Sequence, residues 1–368
     1  MFMPALHRWR QLAALLSLAA ITACTPPPQQ RLLNDTANTS LLPAHRDFAL
    51  ASAQLYEASQ RFCQAPDQAG LDASRERWRH SAVAWSALQF KGFGPLTSDN
   101  QSWKIQFWPD KKNLVARKLE ALLTGEEVID RELIAKRSVV IQGLSALEYL
   151  LFDAKAGQLA MYQGEPSRRC AALTAIAAHQ QQLSEQLHRD WLPEHGNYIA
   201  TFTRPGADNP HYPDHQQAIA SIVESLVAGA ELIKRDKLER PLGLASDAGH
   251  QQRYLLEWWR SAFSREAIIG NLNAMQRLYL ADQRYGLDDF LRGHQHAALA
   301  DQIIAAFEQA IAAAQAVEGS LFEAAGNPAQ QAALDNLYTA SQQLVTLLKN
   351  PLPEALGITL SFNGADGD

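Results

Sequence analysis

The chain has 368 residues, of which 47% are hydrophobic, and its 33 basic and 39 acidic residues give a formal net charge of −6. This balance excludes a protein that binds nucleic acid through bulk positive charge. The length and the apolar fraction are sufficient for two domains, each with its own core.

The first 23 residues have the pattern of a secretory signal peptide. Arg8 and Arg10 precede an apolar run over 12–20, which is too short to span a bilayer, and small residues lead to Cys24. This site resembles a bacterial lipobox, which implies cleavage before Cys24 and lipidation of its thiol. Thr25, rather than aspartate, follows, and the resemblance then implies an outer-membrane lipid anchor facing the periplasm of a Gram-negative bacterium. The alternative is an ordinary signal peptide with an incidental cysteine.

The mature chain is predicted to begin with a tether and to carry a disulfide. Residues 24–43, with prolines at 26–28, are assigned to a lipidated tether. Cys63 and Cys170 then remain, and two cysteines in an oxidising compartment are expected to pair. Metal ligation by these thiols is the weaker interpretation, because neither has a cysteine or histidine beside it at metal-site spacing.

Helical periodicity along almost the whole mature chain predicts an all-α fold of two helical bundles packed side by side. The N-terminal bundle is assigned to residues 44–200, with helices near 44–64, 71–90, 111–123, 136–153 and 168–191. A break rich in proline, glycine and asparagine leads to the C-terminal bundle at 211–350, with helices near 214–237, 247–263, 264–281, 294–317 and 328–349. Residues 351–368 are predicted to form a tail that packs on the bundles.

Glu148 is the leading candidate for a functional side chain, because the helical period places it on an apolar face. A buried carboxylate must be paired, hydrogen-bonded, protonated or bound to a cation. Gly143 in the same predicted helix costs about 1 kcal/mol relative to alanine, so another element is expected to pack close to it. Arg117 and Glu120 lie one turn apart and are predicted to form an ion pair, with Arg117 also a candidate partner for Glu148. A purely structural ion pair is the alternative to a functional Glu148.

Two aromatic motifs have structural interpretations as well. Trp108-Pro109-Asp110 predicts a helix entry in which Asp110 caps a helix that starts at Lys111. Trp258, Trp259 and Arg260 are candidates to line a cleft, while the alternative places one tryptophan in the core and one at its boundary.

Four separated blocks of the chain resemble the imelysin-like family. They are Phe93-Gly94-Pro95-Leu96, Phe107-Trp108-Pro109-Asp110, the segment Gln142 to Leu150, and a C-terminal block with Ala355-Leu356-Gly357-Ile358, Phe362-Asn363 and Asp366-Gly367-Asp368. This family also carries the names insulin-cleaving membrane protease, peptidase family M75 and iron-regulated protein A. The resemblance implies a periplasmic or envelope protein built from two helical bundles.

The chain departs from the family at the position that matters most for metal binding. Members near iron-uptake systems carry a Gly-x-His-x-x-Glu signature that is taken as a metal site. Here Gly143 and Glu148 match, but Ser145 stands at the histidine position. A serine hydroxyl is a poor ligand for a transition metal, so a metal at Glu148 would need donors from elsewhere in the chain.

Three functional hypotheses follow from these residues. The leading one is binding of a metal ion, iron or zinc, or of a small ligand at the cleft between the bundles, in envelope metal uptake or homeostasis. In this hypothesis Glu148 is the metal ligand, Ser145 is its hydrogen-bond partner, and Gly143, Arg117 and Glu120 complete the binding region, with periplasmic iron-uptake or redox proteins as partners. The rivals are a metallopeptidase of family M75, although His-Glu-x-x-His is absent from the sequence, and a non-catalytic scaffold that docks a partner.

Overall fold

The computed structural model describes residues 26–164, 167–244 and 250–360, and within these ranges all regular structure is helical, as predicted. Cys24 and the predicted signal peptide lie outside the described residues. The α-helices of the first half are Pro28–Thr36, Leu42–Gln64, Gln68–Ser86, Gln101–Ile105, Leu114–Thr124, Arg131–Lys136, Leu144–Phe152 and Arg168–Trp191. Those of the second half are Tyr198–Thr203, His215–Glu231, Arg240–Leu242, Ser264–Tyr279, Leu287–Gly293, Ala297–Ala316, Leu321–Ala324, Gln331–Lys349 and Pro351–Ala355.

Shorter elements connect or extend these helices. Two stretches of π-helix, Ala37–Leu41 and Leu232–Glu239, continue α-helices without a break. The 3₁₀ turns are Pro95–Thr97, Val139–Ile141, Leu159–Met161, Arg253–Leu255, Ala281–Gln283 and Pro328–Gln330. Aspartates at positions 67, 130 and 214 begin helices by accepting a hydrogen bond from a backbone N–H three residues on.

The predicted tether is wrong from Pro28 onward, because this part of the chain is helical. The helix Pro28–Thr36 runs through the π-helix into Leu42–Gln64. Leu32 and Leu33 are fully buried and pack in the core of the second half. The prolines that suggested an extended linker stand before the helix and in its first turn. Proline is tolerated there because the backbone N–H groups of the first turn have no acceptor within the helix.

The interior contains two hydrophobic cores that exchange a few residues. One is built from residues between Phe48 and Leu187, together with Trp258 and Ala267. The other comprises residues between Phe202 and Ile358, together with the buried face of the first helix, Phe90 and Trp191. Each half therefore inserts side chains into the core of the other, and the two halves meet along an apolar junction.

The predicted disulfide between Cys63 and Cys170 is present. Their Cα atoms lie 5.3 Å apart and the bond joins the Leu42–Gln64 helix to the Arg168–Trp191 helix across 107 residues of sequence. The two helices also form extensive direct contacts. The disulfide thus joins two long helices of the first half covalently.

The C-terminal segment packs on the second core over its described part. Leu352 and Ile358 are buried there, and the Gln216 side chain donates a hydrogen bond of 2.7 Å to the carbonyl of Leu356. Residues 361–368 of the predicted tail lie outside the described residues. In the described part of the chain, the helix Ala297–Ala316 has the length and apolar composition to cross a membrane, but it is a core helix whose buried face includes Ile303 and Phe307.

Candidate functional site at the junction

Gly143 begins the helix that carries Glu148 and does not lie within it. Its carbonyl accepts hydrogen bonds from Ala146 and Leu147, and its backbone is extended. A Cβ atom at this position would lie 2.1 Å from the carbonyl oxygen of Ile105. The expected close approach of another element is therefore confirmed, whereas the predicted helix over 136–153 is shortened to Leu144–Phe152.

Glu148 is buried at the junction and is held by the second half. It is 3% exposed, and its Oε1 accepts hydrogen bonds from the backbone N–H of Ser261 at 3.0 Å and from the Ser261 hydroxyl at 2.8 Å. Burial raises the pKa of Glu148 to about 7, although Arg260 and the Ser261 hydrogen bonds oppose this shift. The carboxyl group thus changes charge near neutral pH.

A small cavity opens beside Glu148. Its free space is ≈ 20 Å³, which suits one water-sized group. Both halves line it, through Phe107, Trp108, Asp110, Val115, Ser145, Glu148, Tyr254, Leu256, Trp258, Trp259 and Arg260. Five of the eleven lining residues are aromatic, and the charged side chains among them are those of Asp110, Glu148 and Arg260.

Ser145 lines this cavity but is not the hydrogen-bond partner of Glu148. Its hydroxyl donates to the carbonyl of Phe107 at 3.1 Å. The prediction was wrong because the hydroxyl that donates to Glu148 is that of Ser261, in a turn 113 residues away in sequence. Ser145 instead fixes the helix against the irregular segment that carries Phe107.

Arg117 and Glu120 are not part of the cavity lining, and their predicted ion pair is wrong. Arg117 lies on the exposed face of its helix. Glu120 accepts hydrogen bonds from the Tyr149 hydroxyl at 2.8 Å and from Arg169 at 2.9 Å. Tyr149 follows Glu148 and points the other way. The contacts of Glu120 with Tyr149 and Arg169 therefore hold the helix on the face opposite Glu148.

Arg260 is the cation that acts on Glu148, and sequence spacing did not indicate this pairing. Its guanidinium donates to Asn113 at 2.7 Å and to Asp153 at 3.3 Å, and lies 4.4 Å from the ring centre of Trp259. Trp258, Trp259 and Arg260 line the small cavity together. Trp258 is buried and Trp259 is half-buried, as the structural alternative predicts.

The side chains of Trp258, Trp259 and Arg260 extend from turns. Over residues 250–263, the described part of the helix predicted at 247–263, no α-helix is present. Trp258 and Ala262 have φ values of 53° and 58°, in the left-handed region that no α-helix contains. Residues 245–249 lie outside the described residues. The turn presents the backbone N–H of Ser261 to Glu148, which a helical N–H bonded within its own helix would not do.

A buried polar network, which no sequence pattern indicated, lies close to the cavity. Lys237 donates to Glu257 and Asn271, each at 2.5 Å, and to Gln89 at 2.9 Å. Gln106 donates to Glu257 at 2.7 Å. Burial lowers the pKa of Lys237, and Glu257 opposes the shift. The charge of Glu257 also raises the pKa of Glu148.

The donors at the junction do not fit an iron or zinc ion held by protein ligands alone. Asp110 accepts hydrogen bonds from the backbone N–H groups of Leu114 and Val115. It therefore caps a helix as predicted, but that helix starts at Leu114 and not at Lys111. Glu257 is occupied by the buried network. In the described parts of the chain, no group of three or more His, Cys, Asp or Glu side chains is arranged to hold a metal ion. Transition-metal sites normally require three or four such ligands.

Comparisons with known proteins place the chain among imelysin-like proteins. The family model Peptidase_M75, Imelysin, matches residues 41–348. Iron-regulated protein A of Synechococcus elongatus is 24% identical over 204 residues, which are 55% of this chain and 52% of that protein, so the match spans about half of the relative.

Two solved structures share the fold. An imelysin-like protein from Psychrobacter arcticum matches with a TM-score of 0.75 and 23% identity, covering 91% of this chain and 97% of that one. A protein assigned as an iron-regulated protein A precursor from Parabacteroides distasonis matches with a TM-score of 0.71, 15% identity and the same coverage.

Proposed function

Because the chain belongs to the imelysin family, we propose that it is a lipid-anchored envelope protein with an iron-related role, whose junction cavity binds a small ligand through Glu148. The anchor is the lipidated Cys24 in the outer membrane, and the body faces the periplasm. Iron-uptake or redox proteins of the periplasm are its proposed partners. The likeness to iron-regulated protein A supports the iron-related role.

The observation that carries the binding proposal is the one-sided hydrogen bonding of Glu148. In the described parts of the chain, both hydrogen bonds to its carboxyl group end on Oε1. Oε2 can therefore accept a hydrogen bond from a ligand beside the cavity, or bind a cation there. The ligand is a group that donates hydrogen bonds or carries positive charge and is narrow enough for the space next to Trp258.

The metal and peptidase hypotheses are subordinate to this proposal. A metal at Glu148 would need donors beyond the described set, such as water or the acids of the C-terminal tail. Metallopeptidase activity requires a bound metal with an open coordination position. Both hypotheses therefore depend on the same titration with iron or zinc.

The test is native mass spectrometry of the protein isolated from its own envelope, for the wild type, Glu148→Gln and Glu120→Gln. We expect a noncovalent adduct on the wild type and on Glu120→Gln, whose carboxyl lies outside the cavity, but not on Glu148→Gln. An adduct that persists in Glu148→Gln, or none on any protein, contradicts the proposal. Calorimetric titration with iron and zinc identifies the ligand as a metal if binding is stoichiometric and lost in Glu148→Gln.

A further inference from the structure

A hydrogen bond between the two halves lies directly behind the Glu148 cavity. The Gln106 side chain of the first half donates to Glu257 of the second half at 2.7 Å. The residues that follow these two in sequence are Phe107 and Trp258, and both of their rings line the cavity. Because neighbours in sequence share one backbone, this hydrogen bond helps to fix the distance between two walls of the cavity.

Glu257 also holds the beginning of the turn that reaches Glu148. Its Oε1 accepts a second hydrogen bond from the first half, donated by Gln89 at 2.7 Å. Four residues farther along the turn, Ser261 donates its backbone N–H and its hydroxyl to Glu148. The turn is thus attached to the first half at two points that lie close together in sequence. A shift of the first attachment would move the second.

Lys237 keeps Glu257 able to act as this acceptor. Its ammonium group donates to Oε2 of Glu257 at 2.5 Å, and the two side chains are only 2% and 1% exposed. Without a cation, a carboxylate at this depth would take up a proton or move out of the interior, because an isolated buried charge is too costly. The ammonium group also donates to Gln89 and Asn271, so all three of its donors are used. Oε1 of Glu257 stays available for the two amide donors.

Two features suggest that this ion pair does more than stabilise the interior. Lys237 lies in the π-helical stretch Leu232–Glu239, and π-helix is a rare conformation that occurs frequently at functional sites. Apolar side chains of similar volume are often as stabilising as a buried ion pair, or more so. Stability alone therefore does not explain a buried lysine and glutamate here, whereas their place behind the cavity walls does.

We propose that Lys237 and Glu257 are positioning residues of the Glu148 site, and that their ion pair holds the turn 257–262 against the first half so that Ser261 meets Glu148. The importance of this arrangement for ligand binding rests on the proposed function of the cavity. The arrangement itself can be measured without any ligand.

The test follows the backbone amide proton of Ser261 by NMR between pH 5 and pH 9, in the ¹⁵N-labelled full-length mature protein in detergent. Burial raises the pKa of Glu148 to about 7, so the wild-type signal should move downfield as the acceptor carboxyl loses its proton. Glu148→Gln should abolish this movement, which identifies its source. Lys237→Met should reduce the movement at least threefold, because Glu257 then loses its cation and the turn loses its first attachment.

Two further variants separate positioning from general stability. Lys237→Met combined with Glu257→Gln removes both charges and keeps an amide oxygen that can accept from Gln106. This double variant should regain at least two-thirds of the wild-type movement. Lys234→Met, in the same π-helical stretch, removes a partly buried ion pair with Glu239 at 2.8 Å and should leave the movement unchanged. Urea unfolding of each variant verifies that it is folded.

Gln106→Met keeps the proposal testable if Lys237→Met does not fold. It removes the amide donor without leaving a buried charge, and it should reduce the movement of the Ser261 signal at least twofold. Wild-type movement in folded Lys237→Met or in Gln106→Met overturns the proposal, as does a folded double variant that does not regain the movement. A wild type whose Ser261 signal does not move also overturns it. Failure to find a ligand by native mass spectrometry would instead contradict the proposed function and leave this result unaffected.

Discussion

Glu148 makes the stability of the protein depend on pH. Its pKa rises from 4.5 to about 7 on folding, so between these values the folded state holds a proton that the unfolded state has released. Stability therefore falls as the pH rises through this interval, by up to about 3 kcal/mol. This contribution is opposite in sign to that of a salt-bridged acid, whose low pKa stabilises the fold at high pH.

Glu148→Gln should remove this pH dependence. The amide oxygen can still accept the hydrogen bonds from Ser261, but the side chain no longer titrates. We expect the variant to gain stability relative to the wild type between pH 5 and pH 8, by about 2–3 kcal/mol, as measured by urea unfolding at both values. Glu126→Gln, an exposed acid, is the control. A difference between Glu148→Gln and wild type that is the same at both pH values would show that Glu148 is not protonated on folding.

Gly143 is required for a different reason, which is the space around its α-carbon. Alanine here would place a Cβ 2.1 Å from the Ile105 carbonyl oxygen, and backbone cannot yield as a flexible side chain can. We expect Gly143→Ala to cost about 2–3 kcal/mol in the free energy of unfolding. Gly206→Ala, where a Cβ meets nothing within 4 Å, should change it by less than about 1 kcal/mol. Equal effects of the two substitutions would argue against close packing at Gly143.

At the scale of elements, the helix that begins at Pro28 belongs to both halves. Its early residues pack in the second core, while Phe48, Leu55 and Phe62 farther along pack in the first. One uninterrupted element therefore fixes how the halves sit against each other. The junction that holds Glu148 depends on this arrangement.

Leu33→Ala tests whether the start of this helix stabilises the fold. The side chain is fully buried, and truncation of a buried leucine typically costs about 2–5 kcal/mol. Asn38→Ala, at an exposed position of the same segment, should have little effect. Chemical unfolding of both variants gives the comparison, and a Leu33→Ala protein as stable as the wild type would restore the interpretation of this segment as a tether.

Sequence patterns predicted helices well where an apolar period and a polar cap coincide. The helix Arg168–Trp191 was predicted with both of its ends.

The segment near Trp258 was predicted wrongly, because left-handed residues other than glycine do not change the hydrophobic periodicity of a sequence. Lys237 and Glu257 were missed for a related reason, since a lysine in a charge-rich segment is normally expected at the surface. Only the approach of Gln89, Gln106 and Asn271 explains their burial.

At the scale of the whole molecule, the all-α fold and the disulfide followed from composition and periodicity, but the site required the packing of the halves. The sequence placed Glu148 inside and Gly143 under close contact. It could not identify Ser261 and Arg260 as neighbours of Glu148, because that contact arises only when the second half docks. The cavity is thus a property of the assembled molecule.

Membrane attachment is the prediction that belongs to this scale. If Cys24 is lipidated as proposed, the wild type should take up radiolabelled palmitate and sediment with the outer membrane. Cys24→Ala removes the acceptor thiol, so it should take up no label and should not sediment with the outer membrane. Label on Cys24→Ala at the wild-type level would contradict lipid anchoring at Cys24.

The helix that starts at Pro28 also sets a mechanical limit on an anchored protein. Four peptide units separate Cys24 from Pro28, and at full extension they span at most about 14 Å. A lipid on Cys24 would therefore hold the folded protein close to the membrane surface. The second half would stand directly over the headgroups, and a partner would have to come to the membrane surface to meet it, because the protein itself could not range across the periplasm.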